Sequence, residues 1–174
     1  MKITGRNIKR RLYGLSTLPS NLKRARYFRG HGVHSPFVYA IVREVFMRSE
    51  LNTERRELYD ALLNINVAKR RAIQLQNLME HCKYSTFKID CEPQQIKDCD
   101  MIVASIDIPA EQLAALADKA REEKTTLCIM SPSLDRKRDE ACRAIVVAHP
   151  CTSVDNRGYL LLFNNHLPKQ TFRL

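Results

Sequence analysis

The stretch Thr125-Thr-Leu-Cys-Ile-Met-Ser-Pro132 decides the fold that the sequence predicts. Thr125 to Met130 is a short apolar run, as expected of a strand covered on both faces, and Ser131-Pro132 stops it. A similar run, Met101-Ile-Val-Ala-Ser105, comes earlier, and a helical pattern that starts at Pro109 lies between the two. A strand, a helix and a second strand in this order predict parallel neighbours in an α/β sheet.

The segments on either side extend this sheet to about five strands. Residues 134–148 predict a helix with a basic outer face, and two strands follow at 151–155 and 159–163. Asn156-Arg-Gly158 joins these two strands, and so short a turn requires an antiparallel pair. Upstream, Thr86-Phe-Lys-Ile89 predicts the first strand of the sheet.

Helices dominate the N-terminal half of the predicted structure. Ser35 is a good N-cap and Pro36 suits the first helical position, which predicts a helix over 36–48. Thr53 offers an N-cap to the next helix. Two further helices are expected at 21–28 and 67–82.

The length of 174 residues predicts a single domain. We divide it into a basic arm over 1–21, a helical cap over 22–84 and an α/β core over 85–174. A domain of this size buries roughly 70% of its unfolded surface, so it needs neither a disulfide nor a metal to fold.

The net charge of +10 is confined to the N-terminal quarter of the chain. Residues 1–48 hold 11 Lys and Arg against the single acid Glu44, while the remaining residues carry 18 of each sign. Such a region suits a polyanion or an acidic protein surface, although a solubilising tail is an equal alternative. The candidate polyanion-binding residues are Lys9, Arg10, Arg11, Lys23, Arg24, Arg26 and Arg29.

Six cysteines occur without a Cys-x-x-Cys pair, and no N-terminal apolar run reads as a signal peptide. This pattern predicts a reduced, cytoplasmic protein, and no segment has the ~20 apolar residues of a membrane span. We assign no metal ligands, because the candidate His and Cys residues lack the spacing of a known zinc site. These candidates are His81-Cys82, Cys91, Cys99 and His149-x-Cys151.

Two stretches near opposite ends of the chain carry a family resemblance. The string His31-Gly-Val-His-Ser-Pro-Phe37 resembles the N-terminal signature of small bacterial class I S-adenosylmethionine-dependent methyltransferase-like proteins. The C-terminal third looks like the tail of that family, in which an antiparallel hairpin follows the fifth parallel strand. The resemblance covers residues 22–48 and about 97–173. The matching tail segments are His149-Pro150, Thr152 to Val154, Gly158-Tyr-Leu-Leu-Leu-Phe163 and Lys169-Gln-Thr-Phe172.

The resemblance implies a partial Rossmann-like sheet, but the chain departs from the family where the cofactor would bind. In such methyltransferases a glycine-rich turn follows the first strand and comes close to S-adenosylmethionine, and a second strand supplies a carboxylate for the ribose. Here Lys88-Ile-Asp90 ends the first strand, and no glycine occurs between Gly32 and Gly158. We therefore expect no bound cofactor.

The link between the first two predicted strands is also short. Only the ten residues 91–100 separate them, about the minimum for one crossover and too few for two more strands with their helices. We expect those two strands to be absent, which leaves the strand at 86–90 exposed at one edge of the sheet. Lys88 in this strand suits a protected edge.

Few residues remain as site candidates, and none is assigned a catalytic role. Asp90 and Asp107 follow two predicted strands and are weak candidates for cofactor binding, although Asp107 equally suits a turn. The Ser131-Pro132-Ser133 segment has no carboxylate where related enzymes often carry one. We interpret His31 and His34 as residues that pin a helix entrance.

The leading hypothesis is a catalytically inactive methyltransferase-like protein that works by association with another protein or with its own copy. One alternative is a nucleic-acid-binding module that uses the basic N-terminal region, with Tyr13, Tyr27 and Phe28 available for stacking. A second is an active S-adenosylmethionine-dependent methyltransferase with a divergent cofactor site. The salt response separates the first two hypotheses, because phosphate binding weakens steeply as salt rises.

Overall fold

The computed structural model describes residues 12, 13, 15, 19, 33–165 and 167–174. His31, the predicted helix at 21–28 and all seven candidate polyanion-binding residues lie outside the described residues. The division into arm, cap and core therefore stays a prediction for the N-terminal segments.

In the continuously described part of the chain, the helix α1 spans Pro36–Ile41 and starts as the sequence predicts. The Ser35 hydroxyl accepts a hydrogen bond from the N–H of Val38 at 3.4 Å, and Pro36 occupies the first turn. The helix continues as a π-helical turn over Val42–Phe46. Most of its large apolar side chains are almost fully buried, although Tyr39 is exposed, so packing against the sheet fixes this helix. The almost fully buried side chains are Val38, Ile41, Val42, Val45 and Phe46.

Two further helices complete the N-terminal layer, α2 at Glu57–Asn64 and α3 at Lys69–Cys82. The prediction that Thr53 caps α2 is wrong. Its hydroxyl accepts a hydrogen bond from the N–H of Arg55 at 3.3 Å, which forms a local turn before the helix starts. Arg56 is the N-cap residue, and its side chain makes no capping bond.

The described residues form one six-stranded mixed sheet. The strand order is β1-β2-β3-β5-β4-β6, with β1, β2 and β3 parallel to each other and β5 antiparallel to both of its neighbours. The strands are β1 (Phe87–Ile89), β2 (Met101–Ala104), β3 (Thr126–Met130), β4 (Ser153–Asp155), β5 (Tyr159–Leu162) and β6 (Thr171–Arg173).

The predicted antiparallel pair is confirmed as β4 and β5, but the expected count of five strands is wrong. The sixth strand, β6, pairs in parallel with β4. Its three residues are too few for an alternating pattern, and the side chains of Thr171 and Arg173 are exposed. Without a buried apolar run, only the tertiary pairing identifies this segment as a strand.

Helices cover both faces of the sheet, so the architecture is a three-layer α/β arrangement. α1, α2 and α3 pack on one face, while α4 (Leu113–Glu122) and α5 (Arg136–Ala148) pack on the other. Alternate residues of the strands enter the two cores: Met101 and Val103 face the N-terminal helices, and Ile102 and Ala104 face α4 and α5. This explains why the central strands read as continuous apolar runs.

The prediction that the first strand lies at an edge of the sheet is confirmed by the position of β1. The C=O of Thr86 and the N–H of Asp90 bond to β2. Because backbone groups alternate in direction along a strand, those of Phe87 and Ile89 point away from β2. No described residue provides a hydrogen-bond partner for them.

Lys88 has a different role from the one that the sequence suggested. Its Nζ donates to the carbonyl oxygens of Gln95 at 2.6 Å and Lys97 at 3.2 Å. The ammonium group thus fixes the link between β1 and β2. A lysine that protects an edge extends its charge into solvent, where it deters a partner strand. The charge of Lys88 instead bonds to carbonyls of its own chain.

Candidate functional site at the carboxyl ends of the strands

The carboxyl ends of β1, β2 and β3 meet at one side of the sheet, which is where ligands usually bind in open α/β folds. Asp90 follows β1, Ser105 follows β2 and Ser131 follows β3. Asp90 and Ser131 have positive φ angles of 50° and 48°, so the chain turns sharply as it leaves each of these two strands. This side of the sheet is the natural place to look for a site.

Asp90 is used to hold the sheet together at this end. Its N–H donates to the carbonyl oxygen of Val103 at 3.0 Å, and its Oδ1 accepts a hydrogen bond from the N–H of Ser105 at 2.6 Å. A carboxylate that accepts a backbone N–H caps a neighbouring strand end. This oxygen of Asp90 is therefore engaged within the protein.

Asp107 lies in an exposed turn after β2. Its N–H donates to the Ser105 hydroxyl at 3.0 Å, as expected of a turn residue. The structure thus brings the two predicted candidates to the same end of the sheet, one on each side of Ser105. Both take part in local backbone contacts there.

Arg138 is the residue that sequence reasoning missed. It belongs to α5, for which the sequence predicted a basic outer face, yet only 3% of its surface is exposed. Its guanidinium donates to three backbone carbonyls: Nε to Met130 at 3.2 Å, Nη1 to Ile108 at 2.6 Å and Nη2 to Ser105 at 2.7 Å. Arg138 therefore joins the carboxyl ends of β2 and β3 from within the protein.

The electrostatic setting of Arg138 is unusual, because burial lowers the pKa of its guanidinium. Asp135 and Asp90 act in the opposite direction. Among the described residues, no carboxylate lies within ion-pair distance of Arg138, so the three carbonyl dipoles are its main partners. The helical spacing of Arg138, Cys142 and Ile145 was the available sequence signal that Arg138 faces inward.

A second arginine, which is only partly buried, lies at the turn between β4 and β5. Arg71 of α3 donates through Nη1 to the side-chain oxygens of Gln74 at 2.8 Å and Asn156 at 3.0 Å. Its guanidinium carbon lies 5.6 Å from the centre of the Tyr159 ring, within the range of a cation–π contact. Burial lowers the pKa of Arg71.

Gly158 makes room for this guanidinium. A Cβ atom at Gly158 would lie 2.2 Å from Nε of Arg71, far closer than any allowed contact. The sequence identified Gly158 only as a turn residue and as part of the family resemblance. Its role depends on Arg71, which is 87 positions earlier in the chain, and no local pattern reveals that contact.

A cavity of about 270 Å³ lies between α5 and the strands β4 and β6, on the α5 side of the sheet. Cys142, Val146 and Leu160 contribute to an apolar lining, and Asp139 and Arg143 are the charged residues of α5 that line it. Asp90, Asp107 and Arg138 are not among its lining residues. The cavity is therefore separate from the predicted site.

The described part of the chain was found to contain neither a cluster of metal-binding side chains nor a helix suited to a membrane. It holds no group of three or more His, Cys, Asp or Glu side chains that could bind a metal ion. None of its helices combines the length and the apolar character that crossing a membrane requires.

Comparisons with protein-family models, with curated proteins and with solved structures found no match for this chain. The structure itself gives the class of the fold, which is an α/β protein with a six-stranded mixed sheet. The ends of its strands are joined by hydrogen bonds from Asp90 and Arg138.

Proposed function

We propose that this protein is a catalytically inactive methyltransferase-like protein that acts by associating with another polypeptide through the edge strand β1. The open backbone groups of Phe87 and Ile89 carry the proposal. An extended polypeptide, either from another protein or from a second copy, would add a strand beside β1 and bond to these groups. Hydrogen bonds to the partner's backbone would hold the two chains together, and this kind of binding needs no catalytic residue.

The strand arrangement supports the methyltransferase-like part of the proposal. Three parallel strands precede an antiparallel hairpin, and β5 lies between β3 and β4. The resemblance implies a hairpin at this place. The link between β1 and β2 contains a single 3₁₀ turn at Pro93–Gln95, which agrees with the interpretation that two family strands are absent.

The contacts at the strand ends support the loss of catalysis. Asp90 bonds to the N–H of Ser105, and the guanidinium of Arg138 bonds to the carbonyls of three residues around the ends of β2 and β3. A cofactor at this place would have to compete with these bonds. The absence of a glycine between Gly32 and Gly158 removes the close-approach turn as well.

The two alternative hypotheses remain proposals of lower standing. The charge excess in residues 1–48 favours polyanion binding, but the seven candidate cations lie outside the described residues. An active enzyme would have to use Asp90 or Asp107 in a site of unfamiliar form. Binding of a polyanion that weakens steeply as salt rises would favour the nucleic-acid-binding module. Saturable binding of S-adenosylmethionine would favour the active methyltransferase.

Replacing Ile89 with proline is expected to weaken association at least tenfold while the fold is kept. The N–H of Ile89 points away from β2, so proline removes a donor to the partner without removing a β1–β2 hydrogen bond. Loss of one or two backbone bonds of about 1 kcal/mol each, together with the bulk of the ring at the interface, accounts for the expected change. Sedimentation equilibrium measures it, with circular dichroism as the check on folding.

The control is Val147→Ser, which removes an exposed apolar side chain from α5 and should leave association through β1 unchanged. If the wild-type protein is a monomer at roughly 100 μM, the second copy is excluded as the partner. Affinity capture with the wild-type and Ile89→Pro proteins as baits then tests other polypeptides. Equal capture by both baits would contradict the proposal.

A further inference from the structure

Three arginines come together where the N-terminus of α3 meets the turn between β4 and β5. Arg70 and Arg71 lie in the first turn of α3, and Arg157 lies in the β4–β5 turn. Burial is the main cause that lowers the pKa of Arg71, and the positive charges of Arg70 and Arg157 lower it further. Residues 49–174 carry equal numbers of basic and acidic side chains, so this cluster is a local concentration of positive charge.

The guanidinium of Arg71 is only partly used by the protein itself. Its Nη1 makes both of its hydrogen bonds, to Gln74 and Asn156. Among the described residues, Nε and Nη2 have no acceptor, and no carboxylate lies within ion-pair distance of Arg71. Two N–H donors on one guanidinium match two oxygens of an oxyanion. Arg71 therefore keeps donors for such a group.

The side-chain amide of Asn156 carries a further unpaired donor at the cluster. Only 4% of the surface of Asn156 is exposed, and its Oδ1 accepts the bond from Nη1 of Arg71 at 3.0 Å. Its Nδ2 belongs to the same planar amide, is buried, and has no hydrogen-bond partner among the described residues. Buried donors without an acceptor are rare in folded proteins. This donor points to an oxygen ligand at the cluster.

The first turn of α3 favours an anion as well. The N-cap residue Ala68 has no capping side chain, and no acid occurs in this turn. The N–H groups at the start of a helix carry a partial positive charge, which attracts an anion and disfavours cations. The side chains present there are nevertheless Lys69, Arg70 and Arg71. A bound anion relieves this accumulation of like charge.

The turn between β4 and β5 comes close to the unpaired donors of Arg71. A Cβ atom at Gly158 would lie 2.2 Å from Nε and 2.8 Å from Nη2 of Arg71, so the neighbouring Arg157 is beside this part of the guanidinium. Asp155 is engaged in other contacts. Its Oδ1 accepts the backbone N–H of Arg157 at 2.9 Å, and its Oδ2 lies 3.9 Å from Nε of Arg173.

We propose that Arg70, Arg71 and Arg157 form a binding site for a small molecule that carries a phosphate group. A phosphate has several acceptor oxygens and a high negative charge, so it bonds to guanidinium and helix N–H groups together. The site lies at the carboxyl end of β3, because the N–H of Ser131 donates to the carbonyl of Gly158 at 2.8 Å. Strands β2 and β3 separate it from β1, so this binding is independent of strand addition there.

Isothermal titration calorimetry with inorganic pyrophosphate at low ionic strength tests the site. We expect saturable binding by the wild type and roughly tenfold weaker binding by Arg157→Asn and by Arg70→Gln, because each change removes a charge that faces the anion. Both arginines are exposed, and asparagine suits the φ of 67° at position 157, so the fold should be kept. Circular dichroism checks the fold of each variant.

Arg136→Gln is the matched control, because Arg136 is an exposed arginine in the first turn of another helix, α5. It should bind pyrophosphate as the wild type does. Inorganic phosphate should compete with pyrophosphate, whereas acetate at the same concentration should not. The proposal is overturned if the wild type shows no saturable binding, if acetate competes equally well, or if the Arg157→Asn and Arg70→Gln variants bind no more weakly than Arg136→Gln.

Discussion

Replacing Arg138 with methionine is expected to lower the free energy of unfolding by about 3–5 kcal/mol. The substitution leaves three carbonyls, of Ser105, Ile108 and Met130, without their donor. An unpaired buried carbonyl costs about 1–3 kcal/mol, and the apolar methionine returns part of this through packing. Urea unfolding followed by circular dichroism at neutral pH measures the loss.

Arg136→Met is the matched control, because Arg136 lies on the same helix and is largely exposed. It forms a surface ion pair with Glu140 at 2.7 Å, and such pairs contribute about 0–1 kcal/mol. The two variants therefore differ in burial and not in the chemical change. Similar losses in both would show that Arg138 does not tie the strand ends together.

The second large effect is expected from Gly158→Ala, which should lower the free energy of unfolding by about 1–3 kcal/mol. The new Cβ would overlap the Arg71 guanidinium, which has to leave its bonds to Gln74 and Asn156 and its position over Tyr159. The expected cost reflects the loss of these contacts. Thermal or urea unfolding of the purified variant gives its size.

A double-mutant cycle with Arg71→Ala identifies the cause. When Arg71 is already truncated, adding Gly158→Ala should cost no more than about 0.5 kcal/mol, because the overlap no longer exists. If Gly158→Ala is equally costly in both backgrounds, the glycine is needed for another reason, and the contact with Arg71 does not explain it.

The sequence predicted the centre of the fold because local patterns determine it. β2 and β3 are continuous apolar runs, and Asn156-Arg-Gly158 requires a tight hairpin. β6 could not be predicted in the same way, since two of its three side chains are exposed and its parallel partner β4 is not its neighbour in the sequence. Thr53 shows the same limit, because a good capping residue can serve a turn instead.

The cofactor-binding role suggested for Asp90 and Asp107 stays a prediction, although their places in the chain relative to the strands can be compared with the structure. Asp90 and Asp107 lie at the ends of the strands that they were expected to follow. The bonds of Asp90 to Ser105 and of Arg138 to three carbonyls join segments that are far apart in sequence. Charged residues are usually exposed, so the sequence alone favoured a surface position for Arg138. Its inward position follows from the packing of α5 on the sheet.

The most direct test of the central claim is a calorimetric and thermal-shift titration with S-adenosylmethionine and S-adenosylhomocysteine. A ligand at a hundred times its dissociation constant would stabilise the native state by about 2.7 kcal/mol, which is readily detected. We expect no saturable heat and no shift of the unfolding midpoint with either compound. Saturable stabilisation by either compound, lost on Asp90→Ala, would contradict the account and identify the protein as a cofactor-binding methyltransferase-like protein.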